Sequence, residues 1–503
     1  MKLKPLLIAI ILPMLAGALF SIGLAPFKLW PVTMISIASW YGLLTKYPQF
    51  SKRISFAYGF GFFGFGISWI YFAFITVHVL PLIAALSIFC FCLGFALLFL
   101  VQGWLFTRFF AEKSLSILSF ALIWMLFEWL RTWLFTGFPW LFSGYSMTDT
   151  YIGQLASIFS VYGVSFIVVL FAVLFSQIYR FSHNKKAILI SSFALVFVCG
   201  LVTQNLSFST QTGSLKVAVI QSNVDQKTKW TRKSTNESRD HYLTETYKLA
   251  DTDVILWPEA ALTDSYQNNQ KVLQHIGDWA TNNNTSLIIG TPRIVDNKPR
   301  NSMIATGFAQ GTYDKYHLVP FGEYMPFGDI LRKALPFLNM NDYDYYPGQK
   351  QQNNIVINQV LINTVVPNKV VPHKIGTMIC YEAAYPALVR RNARNSELIM
   401  TVSNDDWFGD SFAPHQHLQM AQMRAIENRL SVVRSTQSGI TAFIDPYGKI
   451  SAQLEPFKAL TLIDDVSLNK SNTFYQIFGH LYLMLIALMI LIGVYFRKKE
   501  SHK

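Results

Sequence analysis

One cysteine in this sequence, Cys380, stands in a setting suited to nucleophilic chemistry. It ends the apolar run "HKIGTMIC", and the acidic residue Glu382 follows two positions later. A cysteine nucleophile needs a base that accepts its proton and a donor that stabilises the oxyanion of the tetrahedral intermediate. Glu259 and Lys315, near the ends of other β-type runs, are candidates for these two tasks. Because Glu and Lys are common surface residues, these residue types alone are also compatible with a chain that has no reactive site.

The other three cysteines favour a reactive role for Cys380. Cys90, Cys92 and Cys199 fall within long apolar segments, where a thiol usually behaves as a small hydrophobic group. Cys380 is therefore the only cysteine in a polar part of the chain that we expect to lie outside the cytoplasm. A lone thiol in an oxidising compartment has no disulfide partner, which indicates that it is retained for its reactivity.

The composition predicts that much of the chain lies in a membrane. Of the 503 residues, 52% are hydrophobic and only 14% are charged, which is too apolar for a soluble enzyme. The first apolar run is also compatible with a cleaved signal peptide, but further runs follow at once, so we expect a retained helix. Eight runs have about the length needed to cross a bilayer, namely 5–24, 30–45, 54–77, 82–107, 115–136, 158–179, 187–204 and 474–496.

The distribution of Lys and Arg predicts how these runs are oriented. Basic residues cluster in alternate loops and at both ends of the chain, which places both termini in the cytoplasm by the positive-inside rule. The segment between the seventh and eighth runs then lies on the opposite side. Most of the net charge of +13 comes from these loops and ends, so the basic composition gives no support to nucleic-acid binding.

The sequence predicts three regions along the chain. Residues 1–210 form a membrane domain of seven transmembrane helices, and residues 471–503 form an eighth helix with a basic cytoplasmic tail. Between them, residues 211–470 alternate short apolar runs with polar segments of helical length. Continuous apolar strands that end in polar residues predict sheets covered by helices, with a site at the strand ends.

Several motifs resemble those of a known family. Four soluble motifs occur in the order typical of the nitrilase superfamily, and an upstream motif resembles the membrane-domain signature of its membrane-bound branch, the apolipoprotein N-acyltransferases. The soluble motifs are "WPEAA" (257–261), "YDKYHLVPFGEYMP" (313–326), "CYE" (380–382) and "SNDDWFGDSFAPHQHLQMAQMRAIE" (403–427). The upstream motif is "FEWLRTWLFTGFPWLFSGYS" (127–146). Two residues depart from the family pattern: Ser222, where glycine is frequent, and Asp406, where a small residue is common.

The resemblance implies a polytopic α-helical membrane domain with eight spans joined to an α/β nitrilase-like α-β-β-α sandwich. It implies a triad in which Glu259 is the base, Lys315 stabilises the oxyanion and Cys380 is the nucleophile. An acyl chain would pass from a phospholipid to Cys380 as a thioester. It would then pass to the α-amine of the N-terminal S-diacylglyceryl cysteine of an apolipoprotein. No metal or cofactor is required, and the catalytic domain would face the periplasm from a bacterial inner membrane.

Further residues receive supporting roles in this interpretation. Glu323 would orient Lys315, and Glu382 would fix the loop of the nucleophile or contact the incoming amine. Tyr381 would form an apolar wall for acyl chains. Trp230 and Trp407 are candidates for apolar walls around acyl chains, with core packing as the alternative. Trp140, in "TGFPW" (136–140), is expected at the depth of the membrane interface, where it would help carry acyl substrates from the bilayer to the site. The segment Gly322–Phe337 is a candidate lid that dips into the membrane interface, with an ordinary helix as the alternative.

Two alternatives to the transferase remain at this point. A membrane-anchored amidase would use the same triad and let water resolve the thioester, but its substrates would not require a large apolar half. A purely binding protein would not need all three triad residue types. His415 and His417, two residues apart without a nearby cysteine, predict polar contacts at a helix start rather than a metal site.

Overall fold

The computed structural model of the protein describes residues 7–76, 79–326, 328, 333, 344–361 and 369–497. Two sequence predictions fall largely outside these residues, namely the lid within Gly322–Phe337 and the basic tail beyond Arg497. The chain divides into two compact units. The first comprises Met1–Tyr71, Val79–Leu206 and Ile477–Lys503, and the second comprises Phe72–His78 and Ser207–Gln476.

The first unit is built from apolar helices. Among the described residues, three helices are long and apolar enough to cross a membrane, and a bent pair raises the number to four: Pro81–Phe109, Tyr151–Ser176, His183–Asn205 and the pair Pro48–Gly66 with Ile70–Thr76. Shorter apolar helices lie at Leu7–Gly23, Ser116–Leu130 and Leu481–Phe496. A further helix spans Trp30–Lys46. The first unit thus contains several helices that are compatible with a bilayer.

Four of the predicted spans are broken or shortened in the structure. Run 474–496 forms two helices, Phe474–Phe478 and Leu481–Phe496. Run 54–77 forms two helices, of which the first ends at Gly66 and the second begins at Ile70. The angle between their axes is 50°. Run 115–136 is helical only to Leu130. Run 158–179 belongs to a helix that is interrupted at Ser160, whose φ is 59°. Hydropathy identifies the segments that can lie in lipid. It does not predict these helix breaks, because they depend on the local backbone conformation.

Close contact between helix backbones explains two glycines of the first unit. A Cβ atom on Gly61 would lie 1.9 Å from the carbonyl oxygen of Met14, and one on Gly17 would lie 2.0 Å from that of Tyr58. Any side chain at either position would therefore clash with the facing helix. Gly61 lies in the glycine-rich stretch "GFGFFGFG" (59–66), and its place in the structure shows that a glycine there permits close helix packing.

The charged residues of the membrane signature bond to the loop that follows them. Glu128 Oε1 accepts hydrogen bonds from Trp124 Nε1 and from both the N–H and the hydroxyl of Ser143, at 2.7–2.9 Å. Arg131 Nη1 donates to the carbonyl oxygen of Trp140 at 2.9 Å. Both charged side chains are buried. Their contacts fix the course of the chain after the helix and satisfy groups that would be costly to leave unpaired in lipid.

The second unit contains two β-sheets. The first sheet has the strand order β13-β1-β2-β3-β4-β6, and the second has the order β12-β11-β10-β9-β8-β7-β5. The strands are β1 (Ser209–Gln221), β2 (Val254–Leu256), β3 (Ser286–Val295), β4 (Lys298–Gly307), β5 (Ala309–Gln310), β6 (Thr312–Asp314), β7 (Ile355–Leu361), β8 (Lys369–Ile379), β9 (Leu398–Ser403), β10 (Val432–Thr436), β11 (Ala442–Ile444), β12 (Ile450–Gln453) and β13 (Leu460–Ser471).

The sheets pack face to face with helices on their outer sides. Along β1, Val217 and Val219 enter the core between the sheets, while Ala218 and Ile220 pack against helices on the other face. This alternation follows from the two-residue period of a strand. The outer helices are Arg232–Tyr247 and Gln270–Asn282 on the first sheet, and Pro386–Asn392 and Phe412–Asn428 on the second. The predicted α-β-β-α sandwich is confirmed.

Parallel strands bring the candidate residues to common edges of the sheets. In the first sheet β1, β2 and β3 are parallel, and in the second β8, β9 and β10 are parallel. Glu259 follows β2, Cys380 follows β8 and Asn404 follows β9. Because the carboxyl ends of parallel strands lie at one edge, these residues gather where such folds usually hold their sites.

Candidate active site

Glu259 is held by three groups from different parts of the second unit. Its Oε1 accepts from Asn301 Nδ2 at 2.6 Å and from Lys315 Nζ at 3.3 Å, while Oε2 accepts from the backbone N–H of Asn404 at 2.8 Å. The chain leading to Glu259 runs close to β3, where a Cβ atom on Gly290 would lie 2.1 Å from the Pro258 carbonyl oxygen. The carboxylate is buried and fixed in one orientation, as a general base requires.

Lys315 lies between two carboxylates. Its Nζ is 3.3 Å from Glu259 Oε1 and 2.9 Å from Glu323 Oε2, and its side chain is only 1% exposed. Burial by itself lowers the pKa of the Lys315 ammonium. Glu323 and Glu259 outweigh burial and hold this pKa above its ordinary value. Lys315 therefore carries a permanent positive charge into an otherwise buried site.

Glu323 connects the Lys315 segment to the turn that follows it. Its Oε2 accepts from the backbone N–H of Val319 at 2.8 Å, and its Oε1 accepts from Asn301 Nδ2 at 3.0 Å. Asn301 therefore donates to both Glu259 and Glu323. The carboxylates of Glu259 and Glu323 and the ammonium of Lys315 thus form one hydrogen-bonded set. Glu323 lies next to Lys315, the residue that the sequence analysis expected it to orient.

The backbone of Cys380 adopts a strained conformation. Its φ is 52°, in the left-handed region that costs a non-glycine residue about 1–3 kcal/mol. The residue sits at the sharp turn between β8 and the short helical segment Cys380–Ala384. A nucleophile on such a strand-to-helix turn presents its side chain above the end of the sheet.

The thiol of Cys380 is held in its neutral form. Burial raises its pKa, and the negative charges of Glu259 and Asp405 raise it further, while Lys315 opposes them. Glu382 accepts from the N–H of Tyr316, next to Lys315, and from that of Ile379, next to Cys380, which brings the two segments together. A thiol whose pKa lies above its ordinary value needs a base at the moment of attack.

Glu382 supports the backbone on both sides of the site. It accepts from the Tyr313 hydroxyl at 2.9 Å and from the backbone N–H groups of Tyr316, His317 and Ile379 at 2.8–3.0 Å. The side chain is fully buried. It therefore ties the segment next to Lys315 to the residue before the nucleophile. Burial raises the pKa of Glu382 to about 6, while the backbone donors favour its ionised form.

Replacement of Glu382 by glutamine is expected to slow acylation at least about 10-fold, since displacing a catalytic group by 1 Å costs on the order of 10² in rate. The amide would turn one acceptor oxygen into a donor that faces an N–H or O–H group. The measurement is the rate of single-turnover acylation, with Glu397→Gln as a control carboxylate outside the site. Acylation at the wild-type rate by folded Glu382→Gln enzyme would contradict this supporting role.

The two departures from the family pattern both connect loops around Glu259. Ser222 Oγ accepts from the Tyr242 hydroxyl and from Gln437 Nε2 at 2.8–2.9 Å. Asp406 accepts from the backbone N–H of Gln226 at 2.5 Å and from the Ser438 hydroxyl at 3.0 Å. Both residues thus tie the loop after β1 to the loop after β10.

A buried lysine that the sequence analysis missed lies in the same region. Lys229 Nζ donates to Gln437 Oε1 at 3.2 Å and to the Glu259 carbonyl oxygen at 3.4 Å. Burial lowers the pKa of Lys229 to about 8, although Glu259 and Asp406 partly oppose this. The only signal in the sequence is its position next to Trp230 in a loop rich in Lys and Thr.

The aromatic candidates occupy different environments. Trp230 is 48% exposed, and Trp407 is half-buried in the short helical segment Asp405–Phe408. Tyr381 is buried beside Tyr385, with ring centroids 5.2 Å apart. Trp140 lies in the first unit, where its 1% exposed ring packs against Trp69 and Phe138. Contact of these rings with an acyl chain stays a prediction.

Two further polar residues that hold the site were missed by sequence reasoning. Asn301 lies in the middle of β4 and bonds to both acids, and Asn404 supplies a backbone N–H to Glu259 while its side chain donates to Gln226. Asn404 lies within a motif that the sequence analysis quoted. Asn301 carried one signal, an amide inside a strand that is otherwise apolar at its centre.

The chain matches two family models that together cover most of its length. Residues 16–174 match the family described as apolipoprotein N-acyltransferase N-terminal domain, and residues 216–475 match carbon-nitrogen hydrolase. A carbon-nitrogen hydrolase structure from Helicobacter pylori is similar at 16% identity with a TM-score of 0.36, covering 57% of this chain and 96% of that one.

Curated relatives match over nearly the whole chain. An apolipoprotein N-acyltransferase of Pseudomonas syringae is 33% identical over 473 residues, which is 91% of this chain and 90% of the relative. That of Pseudomonas aeruginosa is 35% identical over 465 residues, which is 89% and 88% of the two chains. Both halves of the chain and their order therefore agree with these relatives, and the chain belongs to the apolipoprotein N-acyltransferase family.

Proposed function

We propose that this acyltransferase moves an acyl chain from a phospholipid to the α-amine of the N-terminal S-diacylglyceryl cysteine of an apolipoprotein, by way of a thioester on Cys380. The observation that carries the proposal is the buried Lys315 ammonium, which lies 3.3 Å from Glu259 Oε1 in a segment that Glu382 ties to the residue before Cys380. One base, one cation and one thiol suffice for both halves of a ping-pong acyl transfer.

The first half-reaction forms the thioester. Glu259 accepts the thiol proton as Cys380 Sγ attacks the ester carbonyl of the phospholipid, and Lys315 stabilises the oxyanion together with a backbone N–H near the nucleophile. Collapse of the tetrahedral intermediate breaks the ester bond. Glu259 then returns the proton to the departing alkoxide, so that a lysophospholipid leaves and the acyl chain remains on Cys380.

The second half-reaction uses the same groups in the opposite direction. The α-amine of the acceptor attacks the thioester carbonyl while Glu259 accepts a proton from the amine. Lys315 again stabilises the oxyanion, and the Cys380 thiolate leaves and is protonated. The products are an N-acylated lipoprotein and the free enzyme. A thioester reacts readily with amines and slowly with water, which favours transfer over hydrolysis.

The proposed supporting residues act around this triad. Glu323 holds Lys315 through a direct ion pair, and Glu382 fixes the backbone before Cys380. We assign Trp230, Trp407 and Tyr381 to apolar contacts with acyl chains, and Trp140 to the membrane part of the route. No metal or cofactor takes part in the proposed steps.

The proposed topology follows from the distribution of charge. Residues 1–210 carry seven transmembrane helices, and 471–503 carry the eighth with a cytoplasmic tail, which makes eight spans in the bacterial inner membrane. Residues 211–470 then form a catalytic domain on the periplasmic side. This side holds the diacylglyceryl apolipoprotein acceptor and the outer-leaflet phospholipid donor of the reaction.

The proposed transfer is tested by measuring how the labelled acyl chain divides between N-acyl lipopeptide and free fatty acid. Purified enzyme is incubated with a phospholipid labelled in its acyl chains and with a diacylglyceryl lipopeptide that has a free α-amine. We expect the label in N-acyl lipopeptide, and none in that product when the α-amine is acetylated beforehand. Label appearing as free fatty acid at the same rate with either peptide would instead show that water resolves the thioester, as in the hydrolytic alternative.

A further inference from the structure

A buried polar cluster adjoins the backbone of the nucleophile and has no task in the proposed steps. Arg434 Nη2 donates to Asp405 Oδ2 at 2.5 Å, and His417 Nδ1 lies 3.1 Å from Asp405 Oδ1. The other ring nitrogen, His417 Nε2, lies 3.0 Å from the carbonyl oxygen of Cys380. All three side chains are at most 1% exposed. The residues come from the segment after β9, the helix Phe412–Asn428 and β10.

The contact with Cys380 fixes the protonation of the His417 ring. A carbonyl oxygen only accepts hydrogen bonds, so Nε2 must carry a proton. The opposite nitrogen faces Asp405 and Arg434. Burial alone would raise the pKa of Asp405, but Arg434 and His417 outweigh it and hold this pKa below its ordinary value. The carboxylate is therefore ionised and accepts from Arg434, whose Nη2 lies 3.1 Å from the same Nδ1 of His417.

One hydrogen bond at this carbonyl oxygen orients a whole peptide unit. The Cys380 C=O and the Tyr381 N–H belong to the same planar group and point in opposite directions. Cys380 has a φ of 52°, a conformation that persists only where neighbouring contacts impose it. Glu382 holds the N–H of Ile379 on the preceding side at 2.8 Å. His417 supplies the matching contact on the following side.

We propose that His417 is a positioning residue for acyl transfer. Its Nε2–H holds the Cys380–Tyr381 peptide in the orientation in which an adjacent backbone N–H meets the oxyanion. Asp405 and Arg434 fix the His417 ring for this task. The inference rests on the proposed function, because it assumes that Cys380 attacks an ester carbonyl.

Two substitutions at position 417 separate this task from a general structural one. The amide nitrogen of glutamine reaches about as far as Nε2 of histidine, whereas that of asparagine reaches only as far as Nδ1. His417→Asn is expected to slow single-turnover loading of Cys380 by dioleoylphosphatidylethanolamine roughly 10²-fold, the scale of a 1 Å misplacement. His417→Gln should recover most of that loss. The half-saturating phospholipid concentration should not change.

Alkylation of Cys380 by iodoacetamide provides the second readout. Displacement at a saturated carbon requires the thiol but no oxyanion donor, so both variants should be alkylated at nearly the wild-type rate. His415→Gln, two residues earlier on the same helix, is the matched control and should load normally. The full-length enzyme is used throughout, and thermal unfolding verifies that each variant is folded.

Several outcomes would overturn the inference. If His417→Asn and His417→Gln load at the same rate, the Nε2 donor has no role in positioning. A parallel fall of loading and alkylation would assign the effect to the thiol itself, and failure of either variant to fold would assign the contact to stability. Wild-type enzyme that is alkylated but never loaded would instead refute the proposed function, and with it the premise of the inference.

Discussion

Lys315→Met is expected to slow acylation of the enzyme by roughly 10² to 10³ or more, the scale for losing one oxyanion-stabilising donor. Methionine matches the length of the lysine stem and removes only the charge and its hydrogen bonds. In the structure this charge lies between Glu259 and Glu323, 3.3 Å and 2.9 Å from their nearest oxygens. Phospholipid binding should persist, because the triad lysine acts on the charge that develops during attack.

The same substitution should also destabilise the second unit. Removing one partner of a buried ion pair typically costs about 3–5 kcal/mol, and here two buried carboxylates would lose their shared cation. The double variant Lys315→Met with Glu323→Gln should therefore recover thermal stability without recovering acylation. Lys298→Met, an exposed lysine on β4, serves as the control and should leave both unchanged.

Rapid loading by the folded double variant would exclude Lys315 from the reaction. If Lys315→Met loads slowly but the double variant regains both its thermal stability and the wild-type loading rate, Lys315 serves the fold alone. The expected separation, in which stability returns and acylation does not, would establish that its charge acts on the reaction.

The layered fold of the second unit follows from patterns that the sequence displays openly. Strand segments such as "VAVI" (217–220) are continuously apolar because both faces are covered, and polar residues follow where each strand ends. Cys380, Glu259 and Lys315 stand at such ends, so their gathering at one site could be predicted. The lone thiol outside the apolar runs gave the strongest indication of which residue reacts.

The hydrogen bonds that hold these residues could not be predicted from such local sequence patterns. Asn301 reaches Glu259 across 42 positions and Asn404 reaches it across 145, so only the folded chain brings them together. His417 was interpreted as a helix-start contact, but its ring bonds to the carbonyl of the nucleophile. An amide or imidazole in a helix or strand carries no local signal of such a distant partner.

In the helical unit, the apolar segments could be predicted from the sequence but the breaks in the helices could not. Hydropathy locates the apolar runs, yet the break at Ser160 and the bend after Gly66 depend on backbone conformations that many sequences adopt. The interface depth expected of Trp140 stays a prediction, but the contacts of its ring with Trp69 and Phe138 could not be predicted from the sequence.

Incubation with phospholipid in the absence of an acceptor is expected to add the mass of one acyl chain to the peptide that contains Cys380. Burial raises the pKa of this thiol, and the proposed mechanism therefore assigns Glu259 as the base. Glu259→Gln should load more slowly by roughly 10² to 10⁴, the usual contribution of a general base. Cys380→Ala should never load, and hydroxylamine should remove the adduct because it is a thioester.

The most direct test of the account follows the fate of this adduct. We expect the loaded enzyme to persist in water and to discharge when a diacylglyceryl lipopeptide with a free α-amine is added, with one N-acylated product formed per thioester lost. The same lipopeptide with a blocked amine should leave the enzyme loaded. An adduct on a residue other than Cys380, or one that water removes as fast as the lipopeptide does, would contradict the proposed transfer.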